Sequence, residues 1–162
     1  MGKVQTGRGQ HFSFYHTRKQ QLMKNKLNCV LLIDDDEPTN FFNKMVLEDI
    51  NCAKTIHVAE SGELALDYLR NTSDEDENPC PDLIFLDINM PAMSGWEFLE
   101  RYATLEQKRK ANAVVVMLTT SLNPDDRALA NKIPDVSAFE TKPLTDQKLA
   151  AIIQRHFPEM AI

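Results

Sequence analysis

Cysteine and long apolar segments are both scarce in this chain of 162 residues. Cys29, Cys52 and Cys80 are too few and too widely spaced to form a disulfide framework or a cysteine-rich metal cluster. The longest apolar run, from Ala113 to Leu118, has six residues, whereas a membrane-spanning helix needs about twenty. The N-terminus also lacks the apolar stretch of a secretory signal. We therefore expect a protein without a membrane span that works in a reducing cytoplasm.

Basic residues are scarce outside the first 26 positions. Residues 1–26 carry six lysines and arginines and no acid, whereas the rest of the chain carries 12 basic and 24 acidic residues, a net charge of −12. Because a surface this acidic repels phosphate, we expect no direct binding of nucleic acid by the body of the protein. Residues 1–26 are predicted to be a disordered basic arm or, since Met23 resembles a translation start, a start-site artefact. An arm that binds membranes or nucleic acid is the alternative for the same segment.

From residue 28 onward, short apolar runs alternate with segments of helical spacing. The first helical segment shows the spacing in its apolar residues Phe42, Met45, Val46 and Ile50. Five βα units predict one α/β domain over residues 27–160, folded as an open, doubly wound, five-stranded parallel sheet, because a closed barrel would need eight units. The runs are rich in β-branched residues and predict strands at 29–33, 54–58, 83–87, 113–118 and 136–140.

Polar side chains follow four of the five predicted strands. Because the carboxyl ends of parallel strands meet at one edge of the sheet, where open α/β sheets bind ligands, we expect these side chains to lie close together. Lys142 is expected to be partly exposed within this carboxylate cluster. The full set is Asp34, Asp35 and Asp36 after the first strand, Asp87 and Asn89 after the third, Thr119 and Thr120 after the fourth, and Lys142 after the fifth.

The chemistry of such a cluster is restrictive. Neighbouring carboxylates repel one another unless a cation lies between them, and oxygen ligands without histidine or cysteine favour a hard ion, Mg²⁺. A lysine opposite that ion completes a clamp for a phosphoryl group, and a carboxylate facing the clamp can act as a nucleophile and form an aspartyl-phosphate. Each residue alone has a plainer explanation, such as an acidic turn that begins a helix or a packed threonine. Their joint occurrence at matching strand ends favours the phosphoryl site.

Four segments carry a resemblance to a known family. Residues 31–36 (LLIDDD), 83–95 (LIFLDINMPAMSG), 117–120 (MLTT) and 139–143 (FETKP) resemble the receiver domain of two-component response regulators. The resemblance covers about residues 28–157. It implies a flavodoxin-like (βα)₅ fold with the strand order 2-1-3-4-5.

The resemblance also implies roles for the acidic residues. Asp87 resembles the aspartate that accepts the phosphoryl group. Asp35 is similar to the direct Mg²⁺ ligand, and Asp34 to the residue that holds metal-bound water. With Asp87 and the main-chain carbonyl of Asn89, they would form the metal site. Lys142 resembles the lysine that pairs with the phosphoryl group, and Asp36 matches no family role.

Two further positions resemble the switch of this family, and two depart from its pattern. Thr119 is similar to the switch hydroxyl, and Phe139 stands at the coupled aromatic position, where tyrosine is commoner. Phe139 therefore lacks a phenolic hydroxyl. Thr120 stands where a smaller residue is usual, and we expect its bulk to modulate access of the kinase or of water. Asn89, two residues beyond the phosphoacceptor, is expected to help position a hydrolytic water.

The function implied by the resemblance is a stand-alone phosphorylation switch. A sensor histidine kinase or a phosphotransfer protein would phosphorylate Asp87 with Mg²⁺, and the surface of helix 4, strand 5 and helix 5 would bind a protein partner or form a homodimer. Such a protein is no enzyme beyond its own phosphoryl transfer and slow autodephosphorylation. The alternatives are a Mg²⁺-dependent aspartyl phosphatase of the haloacid dehalogenase type and a flavodoxin-like binding module. The chain lacks the Gly-Thr and the cap domain of the former and the Ser/Thr/Gly-rich phosphate loop of the latter.

Overall fold

The computed structural model describes residues 26–73, 77–110 and 112–160. The predicted N-terminal arm or artefact at 1–26 therefore lies outside the described residues, except for Lys26. The strands are β1 (Leu27–Ile33), β2 (Ala53–Ala59), β3 (Leu83–Asp87), β4 (Val114–Thr119) and β5 (Val136–Thr141). The helices are α1 (Glu37–Ile50), α2 (Gly62–Arg70), α3 (Gly95–Ala103), α4 (Pro124–Lys132) and α5 (Asp146–His156), with a one-turn helix, Gln107–Lys110, after α3.

All five strands form one parallel sheet in the order β2-β1-β3-β4-β5. This confirms the predicted fold class, strand order and strand positions to within two residues. All five residues of β3 are buried, as expected for a central strand covered by helices on both faces.

Two apolar cores flank the sheet, one on each face. On one face, Leu31 of β1 and Ile84 of β3 pack with residues of α2 and α3 such as Leu66 and Phe98. On the other face lie α1 and α5, and Leu149 of α5 belongs to the core there. Alternate residues of the central strands thus point into different cores, which makes the sheet doubly wound. Among the described residues, no helix combines the length and the apolar character that a membrane crossing requires.

Side-chain caps fix where the helices begin. The Ser94 hydroxyl accepts a hydrogen bond from the Glu97 N–H while the Glu97 carboxylate accepts one from the Ser94 N–H, so the two form a capping box at α3. Ser61, Asn123 and Thr145 cap α2, α4 and α5. α1 is capped by Asp36, which matched no family role in the sequence.

The apolar spacing of α1 is misleading about which side faces the sheet. Phe42 and Met45 are 48% and 44% exposed, and their neighbour Phe41 is 68% exposed. The buried side instead carries two asparagines, Asn40 and Asn43, together with Val46 and Leu47. The physical reason is local: α1 starts beside the carboxyl edge of the sheet, and the Asn40 amide donates a buried hydrogen bond of 2.7 Å to the Asp34 main-chain carbonyl.

Candidate functional site

The carboxyl edge of the sheet brings the expected polar residues together. Asp34 directly follows β1, Asp87 ends β3, Thr119 ends β4 and Lys142 directly follows β5. The Lys142 N–H donates to the Thr119 carbonyl at 2.8 Å, so the end of β5 is tied to the end of β4. The ends of the parallel strands therefore bring two carboxylates, a hydroxyl and an ammonium to the same edge of the sheet.

Asp34, Asp35 and Asp87 form a compact acidic cluster. One carboxylate oxygen from each lies within 4.8 Å of the others. Asp34 and Asp87 are buried, whereas Asp35 is exposed. An all-oxygen set with one open side fits Mg²⁺, which prefers a few carboxylates and keeps several waters. These three side chains could hold the ion.

Lys142 is the counter-ion of this cluster. Its Nζ lies 2.6 Å from Asp34 Oδ2 and 3.0 Å from Asp87 Oδ1. The Lys142 side chain is 14% exposed, so it is partly exposed, as expected, although most of its surface is enclosed. Its ammonium lies between the buried carboxylates of Asp34 and Asp87, so the ends of the strands enclose most of the side chain.

The two charges at the centre of the site shift each other's protonation. Burial is the largest influence and raises the pKa of Asp87, and the charges of Asp34 and Asp35 add to the rise against the opposing Lys142 hydrogen bond. Burial alone would lower the pKa of Lys142, but its hydrogen bonds to Asp34 and Asp87 outweigh that effect, and its pKa lies above the usual value. The lysine therefore stays charged at neutral pH.

Two residues that the sequence left without a role organise the turn that carries Asp34 and Asp35. Asp36 accepts hydrogen bonds from the hydroxyl and the N–H of Thr39, which lower the pKa of its exposed carboxylate. The Asn40 side-chain amide donates a hydrogen bond to the Asp34 main-chain carbonyl. The one available sequence signal for Asn40 was its spacing, since Asn40 and Asn43 lie three residues apart on one side of α1.

Thr119 and Phe139 lie on the neighbouring strands β4 and β5. Thr119 is fully buried, and its Oγ1 accepts a hydrogen bond of 2.9 Å from the Ser121 N–H. Phe139 is half-buried and packs against the core on the α2 and α3 face. The Arg127 guanidinium lies 5.2 Å from the centre of its ring.

Asn89 and Thr120 lie at the exposed margin of the site. Thr120 borders a mainly apolar cleft of about 440 Å³ between α1 and the segment that follows β5. Phe42, Asn43, Lys142 and Pro143 line the same cleft. Asn89 is exposed two residues after Asp87.

Comparison with known proteins decides the family. The model of the response regulator receiver domain matches residues 30–154. The chain belongs to this family. The matched residues include the last four residues of β1, all of β2 to β5, and every candidate site position.

Named relatives agree with this assignment. The response regulator Rcp1 of Synechocystis is 28% identical over 80% of this chain and 86% of its own length. A two-component response regulator from Cytophaga hutchinsonii has 32% identity and a TM-score of 0.74, over 82% of this chain and 98% of its own. A protein-glutamate methylesterase/protein-glutamine glutaminase of Desulfotalea psychrophila is 36% identical over 68% of this chain, which spans 27% of that enzyme. These relatives give no support to the aspartyl phosphatase or to the flavodoxin-like binding module.

Removing the lysine of this receiver site should destabilise the protein when no metal is bound. Lys142→Ala leaves two buried carboxylates without their counter-ion, and we expect a loss of about 2 kcal/mol, less than for a fully buried pair because Asp87 can take up a proton. Mg²⁺ should restore more stability to the variant than to the wild type. Thermal unfolding in EDTA and in excess Mg²⁺ measures both effects.

Lys108→Ala is the matched control. Lys108 pairs with Glu106 at 3.2 Å, but both side chains are about 70% exposed, so its loss should change stability very little. A Lys142→Ala protein that melts like the wild type in EDTA would contradict a stabilising role for the central ion pair.

Proposed function

We propose that this receiver domain is a phosphorylation switch that accepts a phosphoryl group on Asp87 in the presence of Mg²⁺. The observation that carries the proposal is the arrangement of charges at the carboxyl edge. Lys142 bridges Asp34 and Asp87, and Asp35 completes a three-carboxylate cluster with an open side. A nucleophile, a cation and the ligands for a metal are thus within reach of one incoming phosphoryl group.

The proposed roles follow from these positions. Asp34, Asp35 and Asp87, with the main-chain carbonyl of Asn89, would hold the metal. When bound, Mg²⁺ neutralises charge on the phosphoryl oxygens. A carboxylate oxygen of Asp87 forms a bond to phosphorus while the bond from phosphorus to the donor breaks, and the leaving group keeps its electron pair. Lys142 then exchanges the Asp87 carboxylate for a phosphoryl oxygen, which keeps its positive charge paired.

The phosphodonor is a protein, a sensor histidine kinase or a phosphotransfer protein. The support is the apolar side of α1, where Phe41, Phe42 and Met45 are exposed, and Phe42 also lines the cleft that reaches Lys142. An exposed apolar patch at the mouth of a charged site suits a protein that must bring its phosphorylated residue to Asp87. A cytoplasmic location is part of the same proposal.

The response passes to a protein partner through α4, β5 and α5. Thr119 turns its hydroxyl toward the new phosphoryl group and Phe139 follows. Leu122, in the loop before α4, and Leu129, within α4, expose 85% and 44% of their surface, so this face offers apolar contacts. A second copy of the chain is the alternative partner for the same face.

A small-molecule donor tests the switch directly. Acetyl phosphate with Mg²⁺ should add one phosphoryl group to the intact mass, and EDTA should prevent the addition. The same protein should not turn over a generic phosphate ester, which separates a receiver from an aspartyl phosphatase. Catalytic turnover of the ester would favour the phosphatase, and no modification by acetyl phosphate in Mg²⁺ would count against the proposal.

Thr120 is expected to prolong the phosphorylated state. It is exposed at the cleft beside Lys142, and its β-branched side chain has few rotamers with which to move aside. Thr120→Ala should speed hydrolysis about 3- to 10-fold, roughly 1 kcal/mol of barrier, because an attacking water needs in-line access to phosphorus. Decay of the phosphorylated protein is followed after the donor is removed, in excess Mg²⁺.

Thr55→Ala serves as the control, since Thr55 is exposed on the edge strand β2, away from the site. It should decay like the wild type. Equal or slower decay of Thr120→Ala would show that access past Thr120 does not limit hydrolysis, and would point to the positioning of water by Asn89.

A further inference from the structure

Two consecutive residues in the first turn of α4 contact Phe139 and Ser121, the residue that hydrogen-bonds to Thr119. The Asp126 carboxylate accepts a hydrogen bond of 2.6 Å from the Ser121 hydroxyl. The next residue, Arg127, places its guanidinium over the ring of Phe139, 5.2 Å from the ring centre. One turn of one helix therefore reaches the loop after β4 and the aromatic side chain of β5.

Ser121 extends the Asp126 contact to Thr119. The Ser121 N–H donates to Thr119 Oγ1 at 2.9 Å, and the Ser121 hydroxyl also accepts a hydrogen bond from the Asn123 N–H. Asn123 in turn caps α4. Thr119 Oγ1 therefore accepts a hydrogen bond from a loop that is itself hydrogen-bonded to α4. Thr119 cannot turn toward Asp87 without straining or breaking these contacts.

These contacts belong to the unphosphorylated arrangement, because Lys142 is bound to the Asp87 carboxylate in the same structure. We propose that Asp126 and Arg127 are positioning residues that hold Thr119 and Phe139 in the resting arrangement and oppose the change that phosphorylation produces. This inference rests on the proposed function of Asp87. It assigns the restraint to the start of α4, inside the surface proposed to bind the downstream partner.

The size of the restraint follows from the two contacts. A cation over an aromatic face at a partly exposed site is a modest attraction, and a hydroxyl donating to a carboxylate is a stronger one. A contact that exists only in the resting state shifts the equilibrium toward that state. It lowers the affinity of any ligand that binds the switched state by the same factor. We expect a two- to fivefold effect from Arg127 and a three- to tenfold effect from Asp126.

Binding of beryllofluoride, an analogue of the phosphoryl group, tests the restraint in the full chain. Trp96 is the sole tryptophan and is half-buried in α3 beside Gly95, which contacts the Asp87 main chain. Its fluorescence is therefore a built-in signal for titration of beryllofluoride in excess Mg²⁺. Arg127→Ala and Asp126→Ala should bind the analogue more tightly than the wild type by the factors above.

Matched controls lie on the same helix. Asp125→Ala removes the neighbouring first-turn acid, and Lys132→Ala removes an exposed basic residue from the last turn. Both should bind beryllofluoride like the wild type. Ser121→Ala breaks the hydrogen bond to Asp126 from its other end, and the double variant Ser121→Ala/Asp126→Ala should gain no more than either single change. Arg127→Lys keeps a cation and should lie between wild type and Arg127→Ala.

The outcomes separate this inference from the proposed function. If the wild type binds beryllofluoride but Arg127→Ala and Asp126→Ala bind it like the controls or more weakly, the restraint is refuted. A lower melting temperature with unchanged analogue affinity would likewise show a purely structural role. If the alanine variants do not fold, Ser121→Ala and Arg127→Lys decide by the same measurement. A wild type that neither binds the analogue nor is phosphorylated would overturn the proposed function itself.

Discussion

Asp87→Asn is expected to abolish phosphorylation by acetyl phosphate. Asparagine keeps the size of the side chain but has no carboxylate oxygen to attack phosphorus. Intact-mass measurement after incubation with the donor and Mg²⁺ should show one added phosphoryl group on the wild type and none on the variant. Asp67→Asn, an exposed aspartate on α2, is the control and should be modified like the wild type.

The same variant should fold at least as well as the wild type. Because the pKa of Asp87 is raised in the folded protein, mainly by burial, the native state binds the Asp87 proton more tightly than the unfolded chain does. The ionised group therefore costs stability above its folded pKa, and that cost disappears as the pH falls below the usual carboxyl range. Asp87→Asn should melt higher than the wild type at neutral pH and lose this advantage in acid.

Phosphorylation that persists in Asp87→Asn would place the acceptor on another residue. A variant that melts well below the wild type at neutral pH would instead show that the asparagine disturbs the site. The two measurements together distinguish a lost nucleophile from a lost fold.

Gly95→Ala is expected to damage the fold and the site together. A Cβ at Gly95 would collide with the carbonyl oxygen of Asp87 and lie 2.9 Å from the Cα of Ile88, so it would press on backbone that cannot move aside. The Gly95 N–H also donates to the Ile88 carbonyl at 2.8 Å. We expect a loss of about 3 kcal/mol or more, or about 10 °C in melting temperature.

Gly62→Ala provides the contrast for this prediction. A Cβ at Gly62 would meet the flexible side chain of Met93 rather than backbone, and the methionine can adopt another rotamer. Gly62→Ala should therefore melt close to the wild type. Because Gly95→Ala displaces the main chain of Asp87, it should also weaken Mg²⁺ binding, followed by Trp96 fluorescence below the melting transition. Gly95→Ala with wild-type stability and Mg²⁺ affinity would show that α3 can move away from β3.

The fold follows from local signals in the sequence. Runs such as Val114 to Leu118 have no polar face, so they suit strands that are buried on both sides, and the helical segments between them require parallel crossovers. Ser94 and Glu97 fix the start of α3 without help from the rest of the molecule. The meeting of Asp34, Asp87 and Lys142 also follows from the sequence, because a residue at the end of a parallel strand has one edge at which to lie.

Only the tertiary structure decided how these residues are used. The period of α1 gave the spacing of Phe42 and Met45 but not the side of the helix that faces the sheet. The sequence pattern cannot show that the Asn40 amide donates to the Asp34 main-chain carbonyl, because that contact forms only when α1 packs beside the sheet. How far Lys142 is enclosed depends on three strand ends that are far apart in sequence. The contacts of Asp126 with Ser121 and of Arg127 with Phe139 depend on how α4 lies against β5. Sequence periodicity determines which elements form, whereas the partners of a charge are set by long-range packing that no local pattern encodes.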